Sequence, residues 1–89
     1  MDIRVSFKKI WTTHIFDIYV NQQCTVTQFI DYITPILSRE FDMVLLEIVE
    51  TGQSHSPAEL APKLETSDMT LASKWENQEN ISFYIRNYE

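Results

Sequence analysis

The sequence predicts an α+β fold in which a mixed sheet of four to five strands clasps one main helix. Two observations carry that prediction. The order of elements reads strand, strand, helix, strand, and a final strand, Ile81-Ser82-Phe83-Tyr84-Ile85-Arg86, can lie beside the first and close the sheet over the helix. The apolar pattern also changes period along the chain. It alternates through Ile3, Val5 and Phe7, then takes helical spacing at Val26, Phe29, Ile30, Ile33 and Leu37.

Taken in order, the first strand places Ile3, Val5 and Phe7 inward, against Asp2, Arg4, Ser6 and Lys8 outward. A second strand does the same with Phe16, Ile18 and Val20 inward, which puts Ile15, Asp17 and Tyr19 on the solvent side. The connection through Lys9–Thr13 has no Gly or Asn-Gly signal, so the hairpin rests on the two flanking patterns. Thr25 is the expected helix N-cap, with Thr27, Gln28 and Asp31 on the wet side. Pro35 is expected to end or kink the helix near Thr34, with one further turn available from Pro35 to Phe41. The apolar run Met43 to Val49 predicts a central strand. Gly52 ends it, Thr51 to Pro57 forms a loop, and Ser56-Pro57 can open a single helical turn through Leu60, limited by Pro62. Leu64 belongs to a short edge strand, Thr66-Ser67-Asp68 to a turn, and Thr70 to Trp75 to a short helical turn before the closing strand.

Composition narrows the class. Eighty-nine residues predict one domain, 1–89, and 44% hydrophobic residues can supply a core without disulfides. Cys24 is the only cysteine, so no internal disulfide is available, and a cytoplasmic setting is expected. No apolar run approaches the roughly 20 residues of a membrane helix, and no signal-peptide pattern opens the chain, so no membrane insertion is expected. The net charge of −6 argues against nucleic acid as the main partner. That charge is uneven. From Met1 to His14, Arg4, Lys8 and Lys9 outweigh Asp2 to give +2, whereas from Leu46 onward eight acids outweigh Lys63, Lys74 and Arg86 to give −5. The first strand therefore reads either as a basic edge on an acidic body or as an ordinary solvated face.

Enzymatic and metal chemistry find no support in the residues. His14, His55 and Cys24 lack metal-ligand spacing, and Cys24 reads as a half-buried turn residue rather than a nucleophile. The acids make no calcium-loop pattern, and a single glycine cannot build a phosphate-cradling loop. No cofactor and no catalytic residue is expected. Trp75 reads as a core plug under the sheet, whereas Trp11, in the hairpin turn, is a candidate exposed anchor.

Two resemblances refine the fold. Val20, Thr25, Val26, Phe29 and Ile33 match the strand end, cap and helix core of ubiquitin without a gap, which implies the ubiquitin-like β-grasp. Only Asn87, Tyr88 and Glu89 follow the closing strand, with no Gly-Gly tail, so the expectation is a docking module rather than a conjugated tag. Ubiquitin's own binding patch would fall near Glu47, Val49, Tyr84 and Arg86, of which only Val49 and Tyr84 suit that use. The second half resembles a Ras-associating domain: Val44-Leu45-Leu46-Glu47-Ile48-Val49-Glu50, Gly52, Leu64-Glu65, Leu71, Trp75, and Ile81 through Arg86. The ending Arg86-Asn87-Tyr88-Glu89 is most similar to the domain of Grb-type and lamellipodin-like adaptors, where a pleckstrin-homology domain follows.

That resemblance implies a non-enzymatic interaction domain of a signalling protein that binds a small Ras-family GTPase. In such domains the second strand pairs with an edge strand of the GTPase, whose switch region is acidic. It assigns Arg4, Lys8 and Lys9 as electrostatic contacts, Ile15, Tyr19 and Trp11 as packing anchors, and Asp17 as part of the same strip. Asp17 and the acidic second half depart from the family's pattern. The alternative is a ubiquitin-like module packed against other protein domains, as the first lobe of a FERM domain is, without a GTPase partner.

Overall fold

The computed structural model describes residues 2–50, 63–76 and 78–87. Its elements are β1 (Asp2–Lys9), β2 (Ile15–Asn21), α1 (Val26–Glu40), β3 (Leu46–Glu50), α2 (Leu71–Lys74) and β4 (Asn80–Asn87). The four strands form one mixed sheet in the order β2-β1-β4-β3. β1 and β4 run parallel at its centre, Val5 opposite Ile81 and Phe7 opposite Phe83. β2 and β3 flank them in antiparallel pairing. The expected loop at 51–57 and the helical turn through Leu60 lie outside the described residues.

The core lies between one face of this sheet and α1. Ile3, Val5 and Phe7 from β1 and Ile81, Phe83 and Ile85 from β4 meet Val26, Phe29, Ile33 and Leu37 of the helix, all buried. Phe83 sits at the middle of that contact. Its ring centroid lies 5.7 Å from Phe7 and 5.9 Å from Phe29, and Trp75 meets it edge-on at 5.5 Å. Trp75 is thus packed on the core from α2, as its position beside the closing strand predicts.

The helix begins where its cap was expected. The Thr25 hydroxyl accepts the Gln28 N–H at 3.1 Å, and the Gln28 side chain accepts the Thr25 N–H at 2.9 Å. This reciprocal box satisfies two donors that the first turn otherwise leaves open. Of the two outcomes expected at Pro35, an end or a kink, the helix does not end near Thr34: α1 continues to Glu40 with Pro35 inside it. Pro35 removes a hydrogen bond to Asp31, and both residues are exposed, so water can reach the released carbonyl. Beyond Pro35, Leu37 and the C-cap Phe41 are buried. Those two side chains contribute about 3–6 kcal/mol together, against roughly 3 kcal/mol for an interior proline.

The apolar run from Met43 divides differently from its prediction. β3 starts only at Leu46. Met43 is buried and tied to the helix end, its N–H donating to the Ser38 carbonyl at 3.0 Å and its carbonyl accepting the Ser38 hydroxyl. Val44 and Leu45 then cross to the sheet in the open, 94% and 61% exposed. β3 is also not central. It borders β4 on one side, and on the other, among the described residues, it meets the Val49–Lys63 bridge and the Leu64 N–H, which donates to the Ile48 carbonyl at 2.7 Å.

Candidate functional site

The strip of residues assigned to docking lies on β1, β2 and the turn between them, and the sheet order decides what each can reach. β2, not β1, is the edge of the sheet. The reading of the first strand as a basic edge is therefore corrected: β1 is an interior strand, one step behind β2. It must be interior because its apolar face and both backbone sides are used, β2 on one flank and β4 on the other.

Hydrogen-bond parity then shows which groups of β2 are open. The Lys9 N–H donates to the His14 carbonyl, which makes Lys9–His14 a hydrogen-bonded pair and fixes the alternation along the ladder. Phe16, Ile18 and Val20 consequently turn their backbone groups toward β1. Ile15, Asp17 and Tyr19 turn theirs outward, to an edge that no other strand among the described residues occupies. On β1 the complementary parity holds, since Arg4 and Ile10 donate to the Glu79 and Ile85 carbonyls on the β4 side. Ile15, Asp17 and Tyr19 therefore offer both an outer side chain and edge backbone groups. Ile15 is 59% exposed and Tyr19 66%. Phe16 and Ile18, on the other face, are partly buried against the core.

Across the outer face, Ile15 stands opposite Lys8, Asp17 opposite Ser6, and Tyr19 opposite Arg4. Arg4 does not project freely. Its guanidinium meets the Asp17 carboxylate at 2.7 Å, both side chains remaining well exposed. A hydrogen bond from the Ser6 hydroxyl, then the hydrogen bond and charge of Arg4, hold Asp17 below its ordinary 3.8. The same pair raises Arg4 above its usual value. Because the folded carboxyl is the stronger acid, its contribution to stability is present above the unfolded value and is lost as pH falls through the folded one. A carbon-detected titration of the Asp17 carboxyl should have a midpoint below 3.8. Ser6→Ala and Arg4→Gln should each move that midpoint upward, and an unmoved midpoint would dissolve the triad. Ser6 is the member that sequence reasoning missed; only the strand register reveals that it faces Asp17.

Lys8 and Lys9 form no ion pair among the described residues. Lys8 lies between Ile15 and Tyr84 in one cross-strand row, and Lys9 closes the strand beside the turn. In that turn Trp11 adopts φ 66°, and its side chain is 83% exposed. A bulky residue in the left-handed region costs about 1–2 kcal/mol and repays none of it through burial here. Trp11→Gly should leave the fold as stable or stabilise it by about 1 kcal/mol in urea unfolding; a loss of stability would give Trp11 a structural role. His14 anchors the other side of the hairpin, its ring 4.4 Å from Phe41 and 3.6 Å from the Glu40 carboxylate. That contact puts the turn at the same end of the molecule as the exposed Val44 and Leu45.

The positions matching ubiquitin's patch are less available than their spacing implies. Val49 is fully buried, Tyr84 half-buried, and Glu47 is bridged to Arg86 at 2.9 Å. Val49 reads as outward by alternation, but Ile48 and Val49 are both buried, so β3 is covered on both faces. Cys24 is half-buried, and burial pushes its thiol up, away from the reactive thiolate. Among the described residues no three metal-binding side chains come together, and no helix is long and apolar enough to cross a membrane.

No family model matches the sequence, and no curated protein matches it. Solved structures do. The UBL domain of Plasmodium falciparum Dsk2 aligns over 99% of this chain and 100% of its own, with TM-score 0.60 and 18% identity. An Arabidopsis thaliana protein solved by NMR aligns with TM-score 0.62 at 14% identity, over 99% of this chain and 88% of that one. The C-terminal ubiquitin-like domain of mouse tubulin-specific chaperone e follows with TM-score 0.55, 14% identity and the same coverage. The likeness is one of fold: the chain is an α+β protein with the ubiquitin-like β-grasp.

Proposed function

We propose that this chain is a non-enzymatic, cytoplasmic protein-interaction domain, folded as one unit over 1–89, that docks its partner along the open edge of β2. The observation that carries this reading is the parity of that edge. The three residues with open backbone groups, Ile15, Asp17 and Tyr19, also carry two exposed apolar side chains on the outer face. An exposed apolar edge strand is a pairing template that folded proteins otherwise blunt or cover. With the resemblance of the second half to Ras-associating domains, the partner is a small GTPase of the Ras family. Lys8 and Lys9 then steer its acidic switch region from the hairpin end, and Trp11 adds an anchor.

The decisive experiment titrates the chain with a panel of GTP-loaded and GDP-loaded Ras-family proteins. Binding that favours the GTP form is expected. Absent or nucleotide-indifferent binding across the panel removes the GTPase. With a binder in hand, Lys8→Glu combined with Lys9→Glu should slow association severalfold and flatten its salt dependence. Unchanged kinetics would move the contact away from those lysines.

Exposed Trp11, Val44 and Leu45 at the hairpin end favour a second reading, in which that end packs against neighbouring domains as in the first lobe of a FERM domain. Serine at all three positions would then release the neighbours while β2 substitutions stayed silent.

A further inference from the structure

The β2 edge has a chemistry of its own that names the kind of strand it accepts. A strand added to β2 lies about 5 Å from it and about 10 Å from β1, two sheet spacings away. The partner residue facing the middle of the edge is therefore nearest Asp17, not Arg4. Asp17 keeps its charge, because Ser6 and Arg4 stabilise the carboxylate from the β1 side. A carboxylate can accept about four hydrogen bonds, so it retains capacity on the side facing the newcomer. An acidic residue there would stand directly across from Asp17, with Arg4 already engaged by that carboxylate and Lys8, like Arg4, set one strand further in. A basic residue would complete a diagonal of alternating charge running from the partner through Asp17 to Arg4.

The flanks are apolar on both faces. Ile15 and Tyr19 lie two residues to either side of Asp17 on the outer face and are largely exposed. On the helix side, Phe16 and Ile18 are only partly buried, and further along a hollow of about 430 Å³ opens between the end of β2 and α1, with Tyr19, Val20, Cys24, Phe29 and Tyr32 in its lining. Added side chains pointing that way meet apolar surface.

We infer that the strand which docks on β2 carries a lysine or arginine opposite Asp17, with apolar residues on either side of it. This rests on the reading of β2 as the docking edge and adds the charge preference at its centre. The acidic patch of a Ras-family partner would then lie opposite Lys8 and Lys9, at the hairpin end, rather than at mid-strand.

The test uses two synthetic peptides of alternating valine and isoleucine, flanked by serine for solubility, one with arginine at its centre and one with glutamate. Amide hydrogen exchange and NMR shifts of the chain report where each binds. The arginine peptide is expected to protect the amides of Ile15, Asp17 and Tyr19 and to bind about tenfold more tightly than the glutamate peptide. Asp17→Asn should erase the preference and Asp17→Lys should invert it; because the side chain is exposed, both variants should keep the fold, which unfolding curves verify. Equal affinities, or a tighter glutamate peptide, with those amides protected, would overturn the charge preference while leaving the docking edge in place. If neither peptide protects those amides, both the preference and the edge as docking site are lost.

Discussion

Phe83→Ala is expected to cost about 3–5 kcal/mol, the largest loss of any single truncation in this core. Phe83 is 2% exposed and touches three other rings, Phe7, Phe29 and Trp75, so its removal opens a cavity whose walls come from two strands and both helical segments. Those walls belong to a hydrogen-bonded sheet and a capped helix, and neither can collapse inward without breaking its own ladder. A chain of this length has a total stability of about 5–13 kcal/mol, so the variant would keep only part of it. Urea unfolding should show a midpoint lowered by about 2–4 M, with an unchanged slope. Ile85→Val, a smaller truncation on the same strand, should cost only about 0.5–1.5 kcal/mol. A Phe83→Ala cost near 1 kcal/mol would mean that the ring cluster is not where the core is held.

Asp17→Pro is expected to weaken strand addition while sparing the fold. Proline has no N–H and is tolerated on an edge strand where that N–H faces solvent, which parity assigns to Asp17. A docked strand would find an acceptor without a donor at the centre of its ladder. That costs about 1–3 kcal/mol, or roughly five- to 150-fold in affinity. Ile18→Pro is the internal contrast. Its N–H points to β1, so it should lower stability substantially in urea and disrupt β1–β2 pairing. Asp17→Asn separates the backbone effect from the charge, since it keeps the N–H. Equal destabilisation by the two prolines would show the parity to be misassigned. Undiminished partner binding by a folded Asp17→Pro would place the docking surface elsewhere.

The parts of this molecule that were legible in the sequence are those where neighbouring residues decide. Alternation at Ile3, Val5 and Phe7 and at Ile81, Phe83 and Ile85 identified both segments as strands, though not their central place, because a strand buried on one face must alternate. The Thr25 cap and the stripe from Val26 to Leu37 were readable because capping and amphipathicity are local. The errors came where packing overrode local preference. Pro35 reads as a stop or a kink, and the burial of Leu37 and Phe41 holds one continuous helix beyond it. Val44 and Leu45 read as strand by composition, yet Ser38 holds Met43 at the helix end and leaves those two residues to bridge a gap in the open.

The candidate site divides the same way. Outward side chains at Arg4, Lys8, Ile15, Asp17 and Tyr19 followed from alternation alone, and all five share one face of the sheet. Their relation to an edge did not, because which strand stands outermost depends on pairings between residues far apart in the chain. Only the order β2-β1-β4-β3 puts Asp17 at the border and Arg4 behind it, and only register brings Ser6 to Asp17. The sequence by itself determined that the segments of β1, β2, α1 and β4 are strand and helix and which of their faces are buried, all set by short-range spacing. Tertiary structure alone decided which backbone groups are left open and which charges are already paired. Those are properties of neighbours across strands, and no local pattern encodes them.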